Sequence, residues 1–407
     1  MADKLKGNLV VAQGGGPTAV INASLVGVVQ EALAHDDTIT GVFGALHGIQ
    51  GLLDEELADL GRERPDTLDA LRVTPSSGLG SCRYKVAAAD YGRLLDVFKA
   101  HDIRYFLYIG GNDSMDTAHQ VGELAVSAGY DLRCMGVPKT IDNDLDFTDH
   151  CPGFGSVARW IATAVRDAGL DTEAIGVVDK VKVIEIMGRN AGWVTAACAL
   201  ARDHPDAAPH LIYLPERPVT MDRLLDDVQR VYDRLGYVVI CICEGARGPD
   251  GQPLSISTGA LDVDSFGHRM MGNVAELLCR EIAARLKLKT RYDKPGTIQR
   301  VAGALASVTD RAEAAMAGQM AVRYAVNGAS DKMVTLVRES DNPYSCTTGL
   351  VDLEAVANAE KLVPAEFIND AGNDVTGAFL AYARPLIGGP LPAYGYLQKV
   401  IIPKKLR

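Results

Sequence analysis

The chain has 407 residues with 47% hydrophobic and 23% charged side chains, enough for two globular domains or one large one with additions. Its formal net charge of −11 and isoelectric point near 5.3 argue against nucleic acid or an anionic membrane as the main partner. We find no secretion signal, no apolar run of membrane-spanning length and no Cys-x-x-Cys pair among the eight cysteines. We therefore expect a cytoplasmic protein with buried thiols.

The first predicted element is a short β-strand at residues 8–12, followed by the glycine turn 14–16 and a helical pattern at 19–33. In a strand–turn–helix of this kind, bare backbone N–H groups and a helix N-terminus can receive an anion. The glycine spacing matches neither the Rossmann dinucleotide motif nor the Walker A loop. The turn therefore indicates a phosphate site, with a plain tight turn as the alternative.

Two further glycine-rich loops follow along the chain. The Ser/Gly loop 75–83 ends on Arg83, which either reaches a phosphate or lies on an ordinary loop. The predicted strand 104–109 runs into the sequence Gly-Gly-Asn-Asp-Ser at 110–114. We expect a helix to begin after this loop, with one of its last two residues as the N-cap.

The loop 137–144 concentrates charge in a stiff turn. It follows an apolar, strand-like run and contains Lys139 and Asp142, while Pro138 restricts the backbone around it. Ligands collect at the carboxyl ends of strands in open α/β sheets, so we expect proton transfer beside an anion here. An ordinary surface turn is the alternative, because Asp, Asn and Pro are common turn residues.

A second α/β series starts after the Cys-Pro-Gly-Phe-Gly segment at 151–155. Two of its predicted strands end on loops at 187–193 and 244–247. This alternation predicts an α/β fold with two Rossmann-like doubly wound domains, mainly parallel sheets and a site in the cleft between them. We expect one domain over residues 1–150, with about 301–340, and a second domain over residues 151–300. Residues 341–407 are expected to form a C-terminal extension packing on the core.

The strand-end loops combine carboxylates, which can take a proton or face Mg²⁺, with cations that can hold phosphates. These side chains are Asp113, Lys139, Asp142, Asp144, Arg189, Glu244, Arg291 and Arg300. The loops contain no histidine and no zinc-ligand spacing, which excludes a Ser/His/Asp hydrolase and a zinc site. Mixed charges around a glycine turn fit phosphoryl transfer, where catalysis is mostly positioning and charge neutralisation.

Six motifs in order resemble the 6-phosphofructokinase family, and within it the pyrophosphate-dependent branch. They are Gly-Gly-Gly-Pro-Thr at 14–18, Gly-Gly-Asn-Asp-Ser at 110–114, Pro-Lys-Thr-Ile-Asp-Asn-Asp at 138–144, Met-Gly-Arg at 187–189, Glu-Gly-Ala at 244–246 and Gln-Arg at 299–300. The resemblance covers roughly residues 8–340 and implies that the first predicted domain is donor-binding and the second is sugar-phosphate-binding. It implies phosphorylation of D-fructose 6-phosphate at its 1-hydroxyl, with Mg²⁺ as cofactor, in a homodimer or higher oligomer that shares sites across its interface.

The resemblance also implies roles for individual residues. The catalytic set is Asp142 as the base, with Arg189, Lys139 and Asp113. The sugar-phosphate set is Thr140, Ile141, Asp142, Met187, Gly188, Arg189, Glu244, Lys180, Arg291, Thr297 and Arg300. We assign the donor phosphates to Gly14, Gly15, Arg83, Gly111, Asp113, Ser114 and Lys139, and the metal to Asn112 and Asp144.

Two positions decide the phosphoryl donor, since the ATP-using branch has glycine at both. A carboxylate at Asp113 would repel and block a nucleotide α-phosphate, and Lys139 adds positive charge near the reacting phosphoryl group. We therefore expect pyrophosphate, with an ATP-dependent 6-phosphofructokinase as the alternative. Two more distant alternatives are a dinucleotide-binding oxidoreductase, which should carry G-x-G-x-x-G, and a non-catalytic phosphosugar sensor, which should lack Asp142.

Three positions depart from the family pattern. Asn112 stands where many relatives have Asp, so its metal contact should be weaker, with Asp142 or Asp144 carrying more of that interaction. Lys180 stands where many relatives have arginine, and Thr297 where they often have histidine or tyrosine. Both differences change the expected sugar-phosphate contacts, and lysine cannot form the bidentate contact that arginine makes with a phosphate.

Overall fold

The computed structural model describes residues 5–255, 272–357 and 359–406. Residues 256–271, which the sequence assigns to the second domain, lie outside the described residues. The strands are β1 (Gly7–Gln13), β2 (Ile39–Ala45), β3 (Leu57–Asp59), β4 (Ile103–Gly110), β5 (Arg133–Pro138), β6 (Val181–Ile186), β7 (Leu211–Tyr213), β8 (Val238–Cys243), β9 (Thr290–Asp293), β10 (Lys332–Asp341) and β11 (Tyr344–Asp352).

The helices alternate with these strands. They are α1 (Ile21–Leu33), α2 (Ile49–Leu53), α3 (Pro65–Val73), α4 (Tyr91–Ala100), α5 (Asn112–Ser127), α6 (Phe154–Ala174), α7 (Trp193–Ala197), α8 (Met221–Leu235), α9 (Val274–Leu286), α10 (Ile298–Val301), α11 (Val308–Val326), α12 (Leu353–Val356) and α13 (Gly377–Ala383). No helix in the described ranges is long and apolar enough to cross a membrane.

The described strands form two sheets. The larger has the order β11-β10-β5-β4-β1-β2-β3, in which β1, β2, β4 and β5 pair in parallel. Leu9 and Val11 of β1 enter one hydrophobic cluster, and Val10 and Ala12 enter another on the opposite face. Strands buried on both faces read as continuous apolar runs, which is why the sequence predicted them.

The smaller sheet has the order β7-β8-β6-β9, and its strands are parallel. Along β6, Val183 packs into one core while Ile184 and Ile186 pack into another. Both sheets therefore have helices and apolar clusters on both faces. The predicted α/β class with two mainly parallel, doubly wound sheets is confirmed.

The chain after residue 330 returns to the first half. Strand β10 pairs in parallel with β5, and β11 pairs antiparallel with β10. Beyond this hairpin, Phe379, Leu386 and Ile387 enter the same core cluster as Ile186 of β6. The C-terminal segment thus contacts elements of both sheets.

One local prediction was wrong. Helix α5 begins at Asn112 with Gly111 as the N-cap residue, and no side chain caps it. Gly110 of the 110–114 motif therefore ends β4, and the three polar residues form the first helical turn without a separate loop. Because the two glycines already turn the chain, the helix needs no capping by Asp113 or Ser114.

Candidate active site

The glycine turn after β1 brings bare backbone against a buried lysine. The Gly14 N–H donates to the Ile109 carbonyl at 2.9 Å, and the Gly15 N–H donates to the Cys82 carbonyl at 3.2 Å. Gly15 has φ 74°, and a Cβ atom there would lie 3.2 Å from Lys139 Nζ. A side chain at Gly15 would be strained and would crowd the ammonium group.

Lys139 is 3% exposed, at the end of β5. Its Nζ donates to the Gly16 carbonyl at 2.9 Å. This bond links the end of β5 to the turn after β1. Burial lowers the pKa of Lys139 to about 8, although the nearby carboxylates of Asp142 and Asp144 act in the opposite direction. The lysine is therefore charged at neutral pH and fixed against the glycine turn.

A cavity of about 320 Å³ opens beside this turn. It is lined by Gly15, Gly16, Ser81, Arg83 and Arg300, among others. Arg83 is exposed, and Arg300 comes from the chain segment of the second sheet. Burial lowers the pKa of Arg300, and the like charge of Arg83 lowers it further, which shows that the two guanidinium groups are neighbours. Cations from both halves thus surround a cavity suited to a polyanion.

Asp142 lies between residues of both halves. Burial raises its pKa to about 7, and the negative charges of Asp144 and Glu244 raise it further. The positive charges of Lys139 and Arg189 act in the opposite direction. A carboxyl group that titrates near neutral pH is suited to accept and return a proton.

The backbone around Asp142 is held independently of its carboxylate. The Asp142 N–H donates to Thr140 Oγ1 at 3.0 Å, and the Thr140 N–H donates to the Pro152 carbonyl at 3.2 Å. Ile141 is buried in the core cluster that includes Phe154. This packing fixes the loop, and Asp142 itself is half-buried.

The loop after β6 is fixed from two sides. The Met187 N–H donates to Gln299 Oε1 at 3.4 Å, and the Gly188 N–H donates to Glu244 Oε1 at 3.3 Å. Burial raises the pKa of Glu244, and the bond from Gly188 opposes that rise. Gln299 is 2% exposed. Gln299 belongs to the Gln-Arg motif at 299–300, but no role was predicted for it. Its position next to Arg300 was the signal that could have indicated one.

The backbone of Arg189 lies directly against the glycine after Glu244. A Cβ atom at Gly245 would fall 1.6 Å from the Arg189 carbonyl oxygen, so no side chain fits without moving the loop. This close approach places Arg189 next to Glu244 and Asp142, whose pKa values its positive charge lowers.

Asn112 and Asp144, the two residues predicted to hold a metal, each have an oxygen atom that could bind one. Asn112 Oδ1 and Asp144 Oδ1 are both buried and have no hydrogen-bond partner. Burial also raises the pKa of Asp144, while a hydrogen bond to Thr140 acts against the rise. Within the described ranges, no group of three or more His, Cys, Asp or Glu side chains could hold a metal ion. Two protein oxygens fit Mg²⁺, which commonly binds through few protein ligands together with substrate phosphates.

The two remaining donor-side residues of α5 differ in their environment. Asp113 is exposed on the first helical turn, whereas Ser114 is buried. A Cβ atom at Gly14 would lie 2.6 Å from Ser114 Oγ, so the serine packs against the glycine turn.

Lys180 and Arg291 lie away from these loops. Lys180 precedes β6, and Arg291 pairs in register with Lys182 near the start of the same strand. The length of β6 separates Lys180 from Met187 by about 20 Å. Lys180 Nζ donates to the Gly176 carbonyl, and Arg291 forms an ion pair with Asp179.

Thr297 is exposed at the start of α10, three residues before Arg300. One part of the site was not predicted from the sequence and comes from later in the chain. The segment 359–363 contacts Asn112 and Asp144 through its backbone.

The fold and site define a doubly wound α/β protein with the groups required for phosphoryl transfer. A family model described as "Phosphofructokinase" matches residues 8–325, which is more than half of the chain. The chain belongs to the phosphofructokinase family.

Individual relatives agree with this assignment. The chain is 43% identical to the pyrophosphate–fructose 6-phosphate 1-phosphotransferase of Xanthomonas campestris pv. campestris, with 98% of each chain covered. It is 42% identical to the protein of the same name from Methylococcus capsulatus, again with 98% of each covered. The crystal structure of a pyrophosphate-dependent phosphofructokinase from Marinobacter aquaeolei has a TM-score of 0.85 at 40% identity, covering 98% of both chains.

Proposed function

We propose that the protein transfers a phosphoryl group from pyrophosphate to the 1-hydroxyl of D-fructose 6-phosphate, giving fructose 1,6-bisphosphate and phosphate. The observation that carries the proposal is the buried Lys139 ammonium at the glycine turn, beside the Asp142 carboxyl group. It supplies a fixed positive charge for a short polyanionic donor next to a group able to take the proton of the attacking hydroxyl.

In this proposal, Asp142 accepts the proton of the 1-hydroxyl as the oxygen attacks the donor phosphorus. Its pKa of about 7 leaves it largely ionised in mildly alkaline solution. Arg189 and Lys139 neutralise the charge that develops on the transferring phosphoryl group. Thr140, Ile141, Met187, Gly188 and Glu244 shape the sugar site, and Thr297 with Arg300 faces its 6-phosphate.

The donor phosphates lie in the cavity beside the glycine turn. We assign Gly14, Gly15 and Gly111 to the wall of the donor site because they have no side chain to exclude a phosphate, and we place Arg83 and Ser114 beside it. Asp113, exposed on the first turn of α5, would repel a nucleotide α-phosphate. Mg²⁺ bound by Asn112 and Asp144 would neutralise donor oxygens.

The positions of Lys180 and Arg291 support an oligomer. Both are too far along the strands to bind the same 6-phosphate as Arg300 within one chain. We assign them to the site of a neighbouring copy in a homodimer or larger homo-oligomer. The division into donor-binding and sugar-phosphate-binding domains and the cytoplasmic location predicted from the scattered cysteines belong to the same proposal.

A comparison of donors tests the proposal. Purified protein is supplied with fructose 6-phosphate and either Mg-pyrophosphate or MgATP at equal concentrations. We expect kcat/KM to be about 100-fold or more higher with pyrophosphate, because Asp113 would repel the α-phosphate of ATP. Faster turnover with MgATP would show that the enzyme is the ATP-dependent alternative. Because pyrophosphate lacks ATP's excess driving force, phosphate and fructose 1,6-bisphosphate should also yield pyrophosphate.

A further inference from the structure

Residues 359–363, here called the strap, lie beyond the part of the chain that matches the family model. The strap contacts both residues assigned to the metal. Asn112 Nδ2 donates to the Ala359 carbonyl at 2.8 Å, and the Lys361 N–H donates to the Asp144 carbonyl at 2.8 Å. The first bond fixes which way the Asn112 amide faces, because the nitrogen is engaged and Oδ1 is left buried without a partner.

The Lys361 side chain secures the loop that follows Asp144. Its Nζ donates to the Thr148 carbonyl at 2.8 Å and to the Asp149 carbonyl at 2.9 Å. The ammonium also lies 5.4 Å from the centre of the Trp193 ring. One side chain thus joins the loop 144–149 to the start of α7.

The strap is also tied to the second half of the molecule. Trp193 Nε1 donates to the Lys361 carbonyl at 2.8 Å. The Val363 N–H donates to Glu216 Oε1 at 3.0 Å, and the same oxygen accepts the Gly192 N–H at 2.8 Å. Gly192 and Trp193 follow closely after Arg189, so a displacement of the strap would move the loop that carries this arginine.

We propose that Lys361 is a positioning residue: through the strap it sets the metal-facing oxygens of Asn112 and Asp144 and couples them to the loop after Arg189. The proposal rests on the proposed function, because it assigns these oxygens to a metal bound with pyrophosphate. A residue outside the ligand set can act in this way, since hydrogen bonds behind metal ligands orient them and tune metal affinity.

The test measures how much Mg²⁺ strengthens pyrophosphate binding. Calorimetry gives the dissociation constant of pyrophosphate with Mg²⁺ and with EDTA, in the absence of sugar phosphate. We expect Lys361→Met to reduce the Mg²⁺-dependent gain in affinity about tenfold. Pyrophosphate binding without metal should change by less than about twofold. Lys361→Arg, which retains donors for both carbonyls, should recover most of the gain.

The matched control is Lys399→Met, an exposed lysine of the same C-terminal segment that pairs with Glu173. It should behave as wild type in every measurement. A folded Lys361→Met protein with the wild-type Mg²⁺-dependent gain would overturn the proposal. If that variant does not fold, Trp193→Phe decides, because it keeps an aromatic ring but removes the bond to the Lys361 carbonyl. An unchanged gain in Trp193→Phe would equally overturn it.

The same measurements separate this inference from the proposed function. Wild-type protein that neither binds nor uses pyrophosphate contradicts the function, and the positioning role falls with it. Wild-type protein that binds and uses pyrophosphate, together with an unaffected Lys361→Met variant, contradicts only the role of the strap.

Discussion

Replacing Asp142 with asparagine should remove the base and leave the loop in place. The loop is held by the Asp142 N–H bond to Thr140 Oγ1, which does not involve the carboxylate. A general base contributes roughly 10²–10⁴-fold, so we expect kcat of Asp142→Asn to fall by that factor. The KM for fructose 6-phosphate should change little, because the substitution is isosteric.

The pH dependence of activity provides a second test of the role of Asp142. With a pKa of about 7, the Asp142 carboxyl group is about one-tenth ionised at pH 6 and about nine-tenths ionised at pH 8. Wild-type activity should therefore rise between these values, and the rise should be absent from Asp142→Asn. The assay couples fructose 1,6-bisphosphate formation to NADH oxidation across pH 5.5–9, a range set around the cited pKa.

The same substitution should stabilise the protein in alkaline solution. The folded-state pKa of Asp142 lies above its ordinary value of 3.8, so the ionised carboxylate costs folding free energy. The cost is absent at pH well below 3.8, grows as pH rises and is complete above pH 7. The difference between pKa values of 3.8 and about 7 sets an upper limit of about 4 kcal/mol on this cost. Thermal unfolding of Asp142→Asn should therefore show a larger gain over wild type at pH 8 than at pH 5.

The control for these measurements is Asp146→Asn, in the same loop, where the carboxylate accepts the Phe147 N–H. It should retain the wild-type pH profile. An Asp142→Asn enzyme within about tenfold of the wild-type kcat, still losing activity below pH 7, would refute the assignment of Asp142 as the base.

Three further predictions concern the donor and the Arg189 loop. Replacing both Asp113 and Lys139 with glycine should lower kcat/KM for pyrophosphate about 100-fold, measured beside MgATP; an unchanged donor ratio would contradict their role. In wild type, kcat/KM for pyrophosphate should fall as pH rises through about 8, because Lys139 loses its charge. In Lys139→Arg the fall in kcat/KM should occur at higher pH. If it occurs at the same pH as in wild type, another group causes it. Gly245→Ala should reduce kcat about 100-fold by displacing the Arg189 carbonyl, whereas Gly92→Ala, with no atom near its added Cβ, should have no effect.

The sequence was most informative where strands are buried on both faces. β1 and β4 read as apolar runs because their alternate side chains enter two different cores. β11 was not predicted, since its residues alternate between half-buried and exposed and include three threonines or serines before Gly349. Its pairing depends on β10 alone, a long-range contact without a local signal.

Within the site, the strand-end loops were predictable but the distances between them were not. Lys139 and the glycine turn meet because β5, β4 and β1 are neighbours in the sheet. No single sequence motif predicts this order of strands. The strap could not be predicted at all. Its contacts to Asn112 and Asp144 use the Ala359 carbonyl and the Lys361 N–H, groups that most residues can supply.

The strap also gives a physical reason for the asparagine at position 112. Its Nδ2 donates to the Ala359 carbonyl, a bond that an ionised carboxylate cannot make because it has no donor. An asparagine at this position therefore keeps the strap attached and leaves its Oδ1 available to the metal proposed above.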